Sequence, residues 1–134
     1  MNIDDFRECV VFRIGPDASN TQLAALSTSP TFSFKLAAGV VLGDGKTSID
    51  LWDRMLALPD GEQMRCHTPQ YGIHLALERG EYRTAAICWE CNNISISNSG
   101  AYDWRTFDGQ SENAQLLLAD IKAYVASSAV DTDS

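Results

Sequence analysis

The feature that most constrains the fold is a stretch of alternating apolar and polar residues in the middle of the chain. Ile73, Leu75 and Leu77 alternate with polar or small residues, and a similar alternation returns over residues 83–91. A period of two residues places every second side chain on the same face of a β-strand. Residues 79–81, with the sequence RGE, separate the two segments and are typical of a hairpin turn. The pattern therefore predicts an antiparallel hairpin with one apolar face.

The alternation changes phase directly after the second of these strands. Its apolar positions run up to Cys91, whereas the next apolar residues are Ile94 and Ile96. Such a change requires a bulge or a tight turn, and the pair Asn92-Asn93 tolerates the left-handed conformations that both need. A further strand is expected over residues 102–107. The C-terminal half of the sheet is therefore predicted to be a meander.

Two segments with helical spacing flank these strands. Thr47, with Asp50 three residues later, has the form of a capping box and predicts the start of a helix. The last helix is expected to start at Asp108 or Ser111 and to carry an apolar stripe through residues 114–125. The remaining predicted elements are a strand over residues 9–14, a short helix over residues 21–26 and a long or bent strand over residues 31–42.

The order of these elements predicts an α+β fold. A mainly antiparallel sheet ends in a C-terminal meander, and two or three helices pack on one of its faces. A chain of 134 residues is expected to form one domain over residues 1–134. A chain of this size buries about two thirds of its unfolded surface and needs no metal or disulfide to hold a core. The polar segment 127–134 is expected to be a frayed tail.

The charge of the chain restricts its partners. Eighteen acidic residues against ten basic ones give a net charge of −8. Such a field repels phosphate backbones and anionic lipids, so neither nucleic acid nor a membrane is the expected partner, and a basic protein is favoured. The N-terminal residues lack the pattern of a signal peptide, and no apolar run approaches the roughly 20 residues that cross a bilayer. A cytoplasmic location is predicted, and the oligomeric state is left open.

Three of the four cysteines and both histidines lie between residues 66 and 91. Cys88 and Cys91 form a Cys-x-x-Cys pair, whose thiolates can chelate zinc or form a reversible disulfide. Zinc is the cofactor that this region would hold, and its site would add Cys66 and His67. These two are adjacent and would need a turn to reach one metal ion. In the alternative interpretation the cysteines are small buried apolar residues.

No catalytic constellation is evident in the sequence. Cys66 and His67 are adjacent, which is the wrong geometry for a nucleophile and its base unless the backbone is distorted. Serine-hydrolase, phosphate-loop and zinc-protease motifs are absent from the sequence. His74 lies on the polar face of a predicted strand and is expected to be exposed to solvent. An enzymatic function is therefore disfavoured.

Two of the three tryptophans lie on predicted strands. Trp89 and Trp104 are expected to form an aromatic pair against the last helix. If exposed, either residue would suit a protein interface. Asn92 and Asn93 begin a polar strand edge that can pair with a partner. Trp89, Asn92 and Asn93 are therefore the candidate interface residues.

Several of these segments occur together in one pattern. The sequence RCHTPQYGI begins at Arg65, ICWECNNI follows the hairpin, and Phe107-Asp108-Gly109 leads into a leucine-rich helix. This combination resembles small bacterial proteins with no assigned activity, over residues 65–125. The resemblance implies no activity, cofactor or partner. It favours one spatial cluster, structural or functional, made of Cys66, His67, Cys88, Cys91 and Asn92.

Two main functional hypotheses follow from the sequence, and a small enzyme with an unfamiliar site, which would show a polar pocket with several convergent titratable groups, is the third. The first is a non-enzymatic, partner-binding protein of the cytoplasm, resembling immunity proteins and inhibitors, which neutralises a basic toxin or inhibits an enzyme. Small size, acidic balance and the lack of a catalytic constellation favour it. The second is a protein that binds zinc or switches a thiol pair, using Cys66, His67, Cys88 and Cys91.

Overall fold

The computed structural model describes residues 6–14, 39–42, 45–62, 69–98 and 101–132. These residues form six β-strands and two α-helices. The strands are β1 (Phe6–Arg13), β2 (Gly39–Leu42), β3 (Tyr71–Leu77), β4 (Tyr82–Cys88), β5 (Asn93–Asn98) and β6 (Ala101–Thr106). The helices are α1 (Gly45–Leu56) and α2 (Glu112–Thr132).

The six strands form one antiparallel sheet with the order β2-β1-β3-β4-β5-β6. The last four strands follow one another as a meander, and β1 and β2 extend the sheet beyond β3. The helices α1 and α2 pack on one face of this sheet. The predicted α+β fold, with its antiparallel sheet, C-terminal meander and helices on one face, is confirmed. Among the described residues, no helix is long and apolar enough to cross a membrane.

The hairpin of β3 and β4 forms as its alternating pattern predicts. Ile73 and Leu75 are fully buried on the face that carries the helices, and Ala85 of β4 lies opposite Ile73. The connecting turn contains Arg79 with φ 64° and Gly80 with φ 73°. Two consecutive left-handed residues are what a type I′ turn requires, and its twist matches that of the two strands.

A turn lies near the predicted change of phase, but the strand predicted over residues 83–91 ends earlier than expected, at Cys88. β4 ends at Cys88, β5 begins at Asn93, and these two residues are opposite each other in the sheet. Residues 89–92 form the turn between them, and Asn92 has φ 56°. Asparagine is one of the few residues other than glycine that adopts this conformation at low cost.

The helix α2 begins where one of the two predicted caps lies. The hydroxyl of Ser111 accepts the N–H of Ala114 at 3.3 Å and donates to the carbonyl of Asp108 at 2.7 Å. Ser111 is therefore the N-cap, and Asp108 belongs to the preceding turn, where its Oδ1 accepts the N–H of Gln110 at 3.0 Å. The helix continues to Thr132, into the segment that was expected to be a tail.

The start of α1 differs from its prediction. The helix begins at Gly45, so Thr47 lies inside its first turn and is not the N-cap. Leu51, Trp52 and Met55 are buried against the sheet. Leu56, at the end of the helix, is partly exposed.

The second face of the sheet carries buried polar residues, which corrects the prediction for His74. His74 is buried, its Nδ1 lies 2.7 Å from Oγ1 of Thr84, and its ring stacks on Tyr82. Ser95 and Ser97 on β5 are buried as well. The alternating pattern identifies the polar positions of a strand but does not determine their exposure, because a polar side chain with hydrogen-bonding partners can be buried. The predicted solvent exposure of His74 was therefore wrong.

The predicted helix over residues 21–26 lies outside the described residues. The strand predicted over residues 31–42 is described only for Gly39–Leu42, which forms β2 as expected.

Candidate functional site

The Cys-x-x-Cys segment lies at the turn between β4 and β5. Cys88 is the last residue of β4, Cys91 lies in the turn, and both are fully buried. The N–H of Cys91 donates a hydrogen bond to Sγ of Cys88 at 3.2 Å. In a regular strand, residues three apart would point to opposite faces. The turn removes that obstacle and brings the backbone of Cys91 against the sulfur of Cys88.

The two cysteines of this segment differ in their chemical state. Cys91 is disulfide-bonded, whereas Cys9 and Cys88 are outside any disulfide and carry thiols. Zinc binds the deprotonated thiolate, so a sulfur in a disulfide is not available as a ligand. Disulfide bonding and zinc binding are therefore mutually exclusive states of Cys91.

The predicted zinc ligands are only partly within the described residues. Cys88 and Cys91 lie close together, whereas Cys66 and His67 lie outside the described residues. Within the ranges that the structure describes, no group of three or more histidine, cysteine or acidic side chains could hold a metal ion. The four-residue zinc site stays a prediction.

Asn92 ties the Cys-x-x-Cys turn to two neighbouring loops. Its Oδ1 accepts the N–H of Gly109 at 3.0 Å, and its Nδ2 donates to the carbonyl of Glu62 at 3.0 Å. Its own carbonyl accepts the N–H of Phe107 at 3.0 Å. Through these three hydrogen bonds, Asn92 holds together the segments before α2 and after α1.

Two glycines allow these segments to approach closely. A Cβ atom at Gly109 would collide with the carbonyl oxygen of Trp89, and one at Gly61 would collide with the carbonyl oxygen of Phe107. The N–H of Asp108 also donates to the carbonyl of Pro59 at 2.8 Å. This backbone packing was not predicted from the sequence, although the motif Phe107-Asp108-Gly109 was the available signal.

Trp89 belongs to the core. Its side chain is 5% exposed, and its Nε1 donates to the carbonyl of Ala114 in α2 at 2.9 Å. Its ring makes edge-to-face contacts with Tyr71 and Phe107, with centroids 6.3 and 6.1 Å away. It packs against the last helix as expected, but with Tyr71 and Phe107 as its aromatic partners.

The three candidate interface residues do not form a surface. Trp89 and Asn93 are buried, and Asn92 is half-buried with its side-chain amide bonded to two loops. These contacts stabilise the turn, and the assignment of the three residues to an interface stays a prediction.

Cys9 is the second cysteine thiol of the described residues, and it lies beneath α1. Burial raises the pKa of its thiol to about 12, although a hydrogen bond with Ser48 acts in the opposite direction. At neutral pH, Cys9 is therefore an uncharged thiol that packs as a small apolar residue.

A groove of about 440 Å³ lies between the C-terminal end of α1 and β6, and we call it the β6 groove. Its lining includes Leu56, Asp60, Trp104 and Arg105. Among the described residues, the exposed large hydrophobic side chains are Leu56 (37%), Trp104 (50%) and Leu116 (52%). Two of these three line the β6 groove. Two exposed apolar side chains therefore lie at one groove, whose exposed lining is otherwise mainly polar.

β6 forms one edge of the sheet, and its charged residues are engaged with the backbone. Oδ1 of Asp103 accepts the N–H of Trp104 at 2.9 Å. The guanidinium of Arg105 donates to the carbonyl of Leu56 at 3.0 Å, where α1 ends. Charged side chains on an edge strand discourage pairing with another strand. Side-chain contacts at the groove are therefore a better route to a partner than addition of a strand.

Comparison of the chain with protein-family models, with curated proteins and with solved structures found no match in any of the three.

Proposed function

We propose that this protein is a non-enzymatic, partner-binding protein of the cytoplasm, resembling immunity proteins and inhibitors, and that it binds a basic protein at the β6 groove. The observation that carries the proposal is the placement of exposed Leu56 and Trp104 at one groove. Single exposed apolar residues are ordinary, whereas a cluster rimmed by polar groups is typical of an interaction site. Tryptophan is also among the residues most enriched at the energetic centres of protein interfaces.

The charge of the protein supports a basic partner. The net charge is −8, Asp60 lines the groove, and Asp103 is exposed on β6. The nearby cation of Arg105 is hydrogen-bonded to the end of α1. A lysine or arginine of the partner would be attracted by the carboxylates, and it can also stack on the exposed ring of Trp104. The same field disfavours nucleic acid and anionic membranes.

The test is affinity capture from a bacterial lysate, with the wild-type protein compared with Trp104→Ala and Leu116→Ala. Leu116 is the matched control, because it is an equally exposed apolar residue on α2, outside the lining of the groove. We expect a protein of positive net charge to be retained by the wild type and Leu116→Ala and lost by Trp104→Ala.

Calorimetric titration of the captured protein then measures the contribution of the groove. Truncation of a tryptophan at the centre of an interface costs about 2–4 kcal/mol, which corresponds to an affinity about 30-fold to 1,000-fold weaker. Equal affinity for the wild type and Trp104→Ala, or capture of acidic proteins alone, would count against the proposal.

A further inference from the structure

Two Asp-Gly sequences lie within the described residues, Asp60-Gly61 and Asp108-Gly109. In such a sequence the amide nitrogen of the glycine can attack the aspartate side chain, because glycine has no side chain to obstruct the ring that forms. We propose that Asp60 is a site of spontaneous isoaspartate formation, whereas Asp108 is protected by the hydrogen bonds around it. The inference is independent of partner binding at the β6 groove.

The modification proceeds through a cyclic imide. The amide nitrogen of Gly61 forms a bond to Cγ of Asp60 and loses its proton, the side chain loses one oxygen, and one molecule of water leaves. Water then adds to either carbonyl of the succinimide ring. One ring opening restores aspartate, and the other gives isoaspartate, in which the backbone runs through the side-chain methylene. The atoms balance with water alone, and neither an oxidant nor a reductant takes part.

Asp60 is exposed in the segment that follows α1, and Gly61 is half-buried. In the part of the chain that the structure describes, no hydrogen bond holds the carboxylate of Asp60 or the N–H of Gly61. The attack therefore breaks no hydrogen bond at either reacting group. Exposed segments of this kind also have the lowest cost of local opening.

The reacting groups at Asp108 are both held by hydrogen bonds. Oδ1 of Asp108 accepts the N–H of Gln110 at 3.0 Å, and the N–H of Gly109 donates to Oδ1 of Asn92 at 3.0 Å. Asp108 is half-buried, and Gly109 is buried. Two hydrogen bonds of ordinary strength lower the population of the released arrangement by a factor of about 5–150. Isoaspartate is therefore expected to form more slowly at Asp108 than at Asp60.

The packing of the fold explains why glycine follows Asp60. A Cβ atom at Gly61 would collide with the carbonyl oxygen of Phe107, so the close approach of the two segments requires glycine. The reactive sequence is therefore built into the fold. Isoaspartate at position 60 would lengthen the backbone by one methylene directly before Gly61. Because Asp60 lines the β6 groove, the modification would also alter one wall of that groove.

The experiment ages the wild-type protein at neutral pH, below its unfolding temperature, and maps isoaspartate by tryptic digestion and electron-transfer mass spectrometry. Trypsin places Asp60 and Asp108 in separate peptides, residues 55–65 and 106–122. We expect isoaspartate to accumulate in the first peptide and to form at least about fivefold more slowly in the second. The control is the chain unfolded in urea, where both sites should react at similar rates. Similar rates at both sites in the folded protein, or isoaspartate at Asp60 in the unfolded chain alone, would overturn the proposal.

Replacements of Asn92 test how Asp108 is protected. Asn92→Gly removes the acceptor of the Gly109 N–H and is expected to raise the rate at Asp108 by a factor of about 2–12. Asn92→Asp keeps a side-chain oxygen and is the matched control, in which Asp108 should stay protected. Asp60→Glu should remove isoaspartate from the first peptide only. An unchanged rate at Asp108 in Asn92→Gly would contradict the protective role of the hydrogen bond, and the wild-type comparison decides the matter even if a variant does not fold.

Discussion

Replacement of Asn92 tests how the Cys-x-x-Cys turn is held. Asn92 adopts a φ of 56°, and its side chain makes one hydrogen bond to Gly109 and one to Glu62. Each such bond contributes about 0.5–1.5 kcal/mol net, and the solvent-exposed bond to Glu62 belongs at the lower end. Glycine at this position loses both bonds but accepts the backbone conformation. We therefore expect Asn92→Gly to lower the free energy of unfolding by about 1–2 kcal/mol.

Alanine at the same position adds a conformational cost. A side chain with a Cβ atom in the left-handed region costs about 1 kcal/mol more than glycine. Asn92→Ala is therefore expected to lower the free energy of unfolding by about 2–3 kcal/mol. The difference in the free energy of unfolding between the two variants measures the cost of the left-handed backbone conformation, because both variants lose the same side-chain hydrogen bonds.

Urea unfolding followed by tryptophan fluorescence measures these differences, since Trp52 and Trp89 are buried in the folded state. Arg79→Gly is the control, because Arg79 has a similar φ of 64° in an exposed turn. It should leave stability unchanged or raise it by up to about 1 kcal/mol. Equal losses in Asn92→Ala and Asn92→Gly would refute the conformational argument. Losses below about 0.5 kcal/mol in both would refute the anchoring role of Asn92.

The remaining predictions concern Trp104 and the cysteines. Trp104→Ala should change the free energy of unfolding by less than about 1 kcal/mol, since the residue is half exposed on an edge strand; a larger loss in urea unfolding would mean that it supports the core. Burial raises the pKa of the Cys9 thiol from about 9 to about 12 in the folded state. The contribution of this shift to the free energy of unfolding is complete below pH 9 and is lost as pH rises toward 12, by about 1.4 kcal/mol per pH unit. Reduced wild-type protein should therefore lose stability relative to Cys9→Ala above pH 9, and parallel pH profiles of the two would contradict this. Protein purified without reductant should show fewer than four thiols per chain in denaturant, because Cys91 is disulfide-bonded, and no zinc by elemental analysis; four thiols with one zinc per chain would favour the zinc hypothesis.

The strand meander could be predicted from the sequence because its signals are local. Alternation at Ile73, Leu75 and Leu77 identifies β3, and the residues of the next turn allow the left-handed conformations of Arg79 and Gly80. The phase change after Cys91 likewise marks a turn within a few residues of its cause. Local patterns of this kind are sufficient to predict a strand and its pairing when the strand pairs with its neighbour in the chain.

Exposure of individual strand residues could not be predicted in the same way. Trp89 and Trp104 are both placed on strands by the sequence, but Trp89 lies in a turn beneath α2 and Trp104 lies on the edge strand β6. His74 shares its polar pattern with exposed strand residues, yet it is buried with Thr84 as a hydrogen-bonding partner. Which strand forms the edge and which face is covered depend on the whole sheet, and no short window of sequence contains that information.

The site itself was predicted only in part. The proximity of Cys88 and Cys91 follows from the turn that the sequence indicates. The contacts of Asn92 with Glu62 and Gly109 join residues that are far apart in the chain, and the β6 groove joins the end of α1 to an edge strand. Neither the contacts of Asn92 nor the β6 groove has a periodic pattern in the sequence, so both could be identified only in the folded structure.

Site-specific photo-crosslinking tests the central claim, the binding of a basic protein at the β6 groove, most directly. A benzophenone amino acid is placed at position 104 in one variant and at position 116 in another, and both variants are irradiated in bacterial cells. The account predicts that one protein of positive net charge is cross-linked from position 104 and not from position 116. The same cross-linked proteins from both positions, or none from position 104, would contradict it.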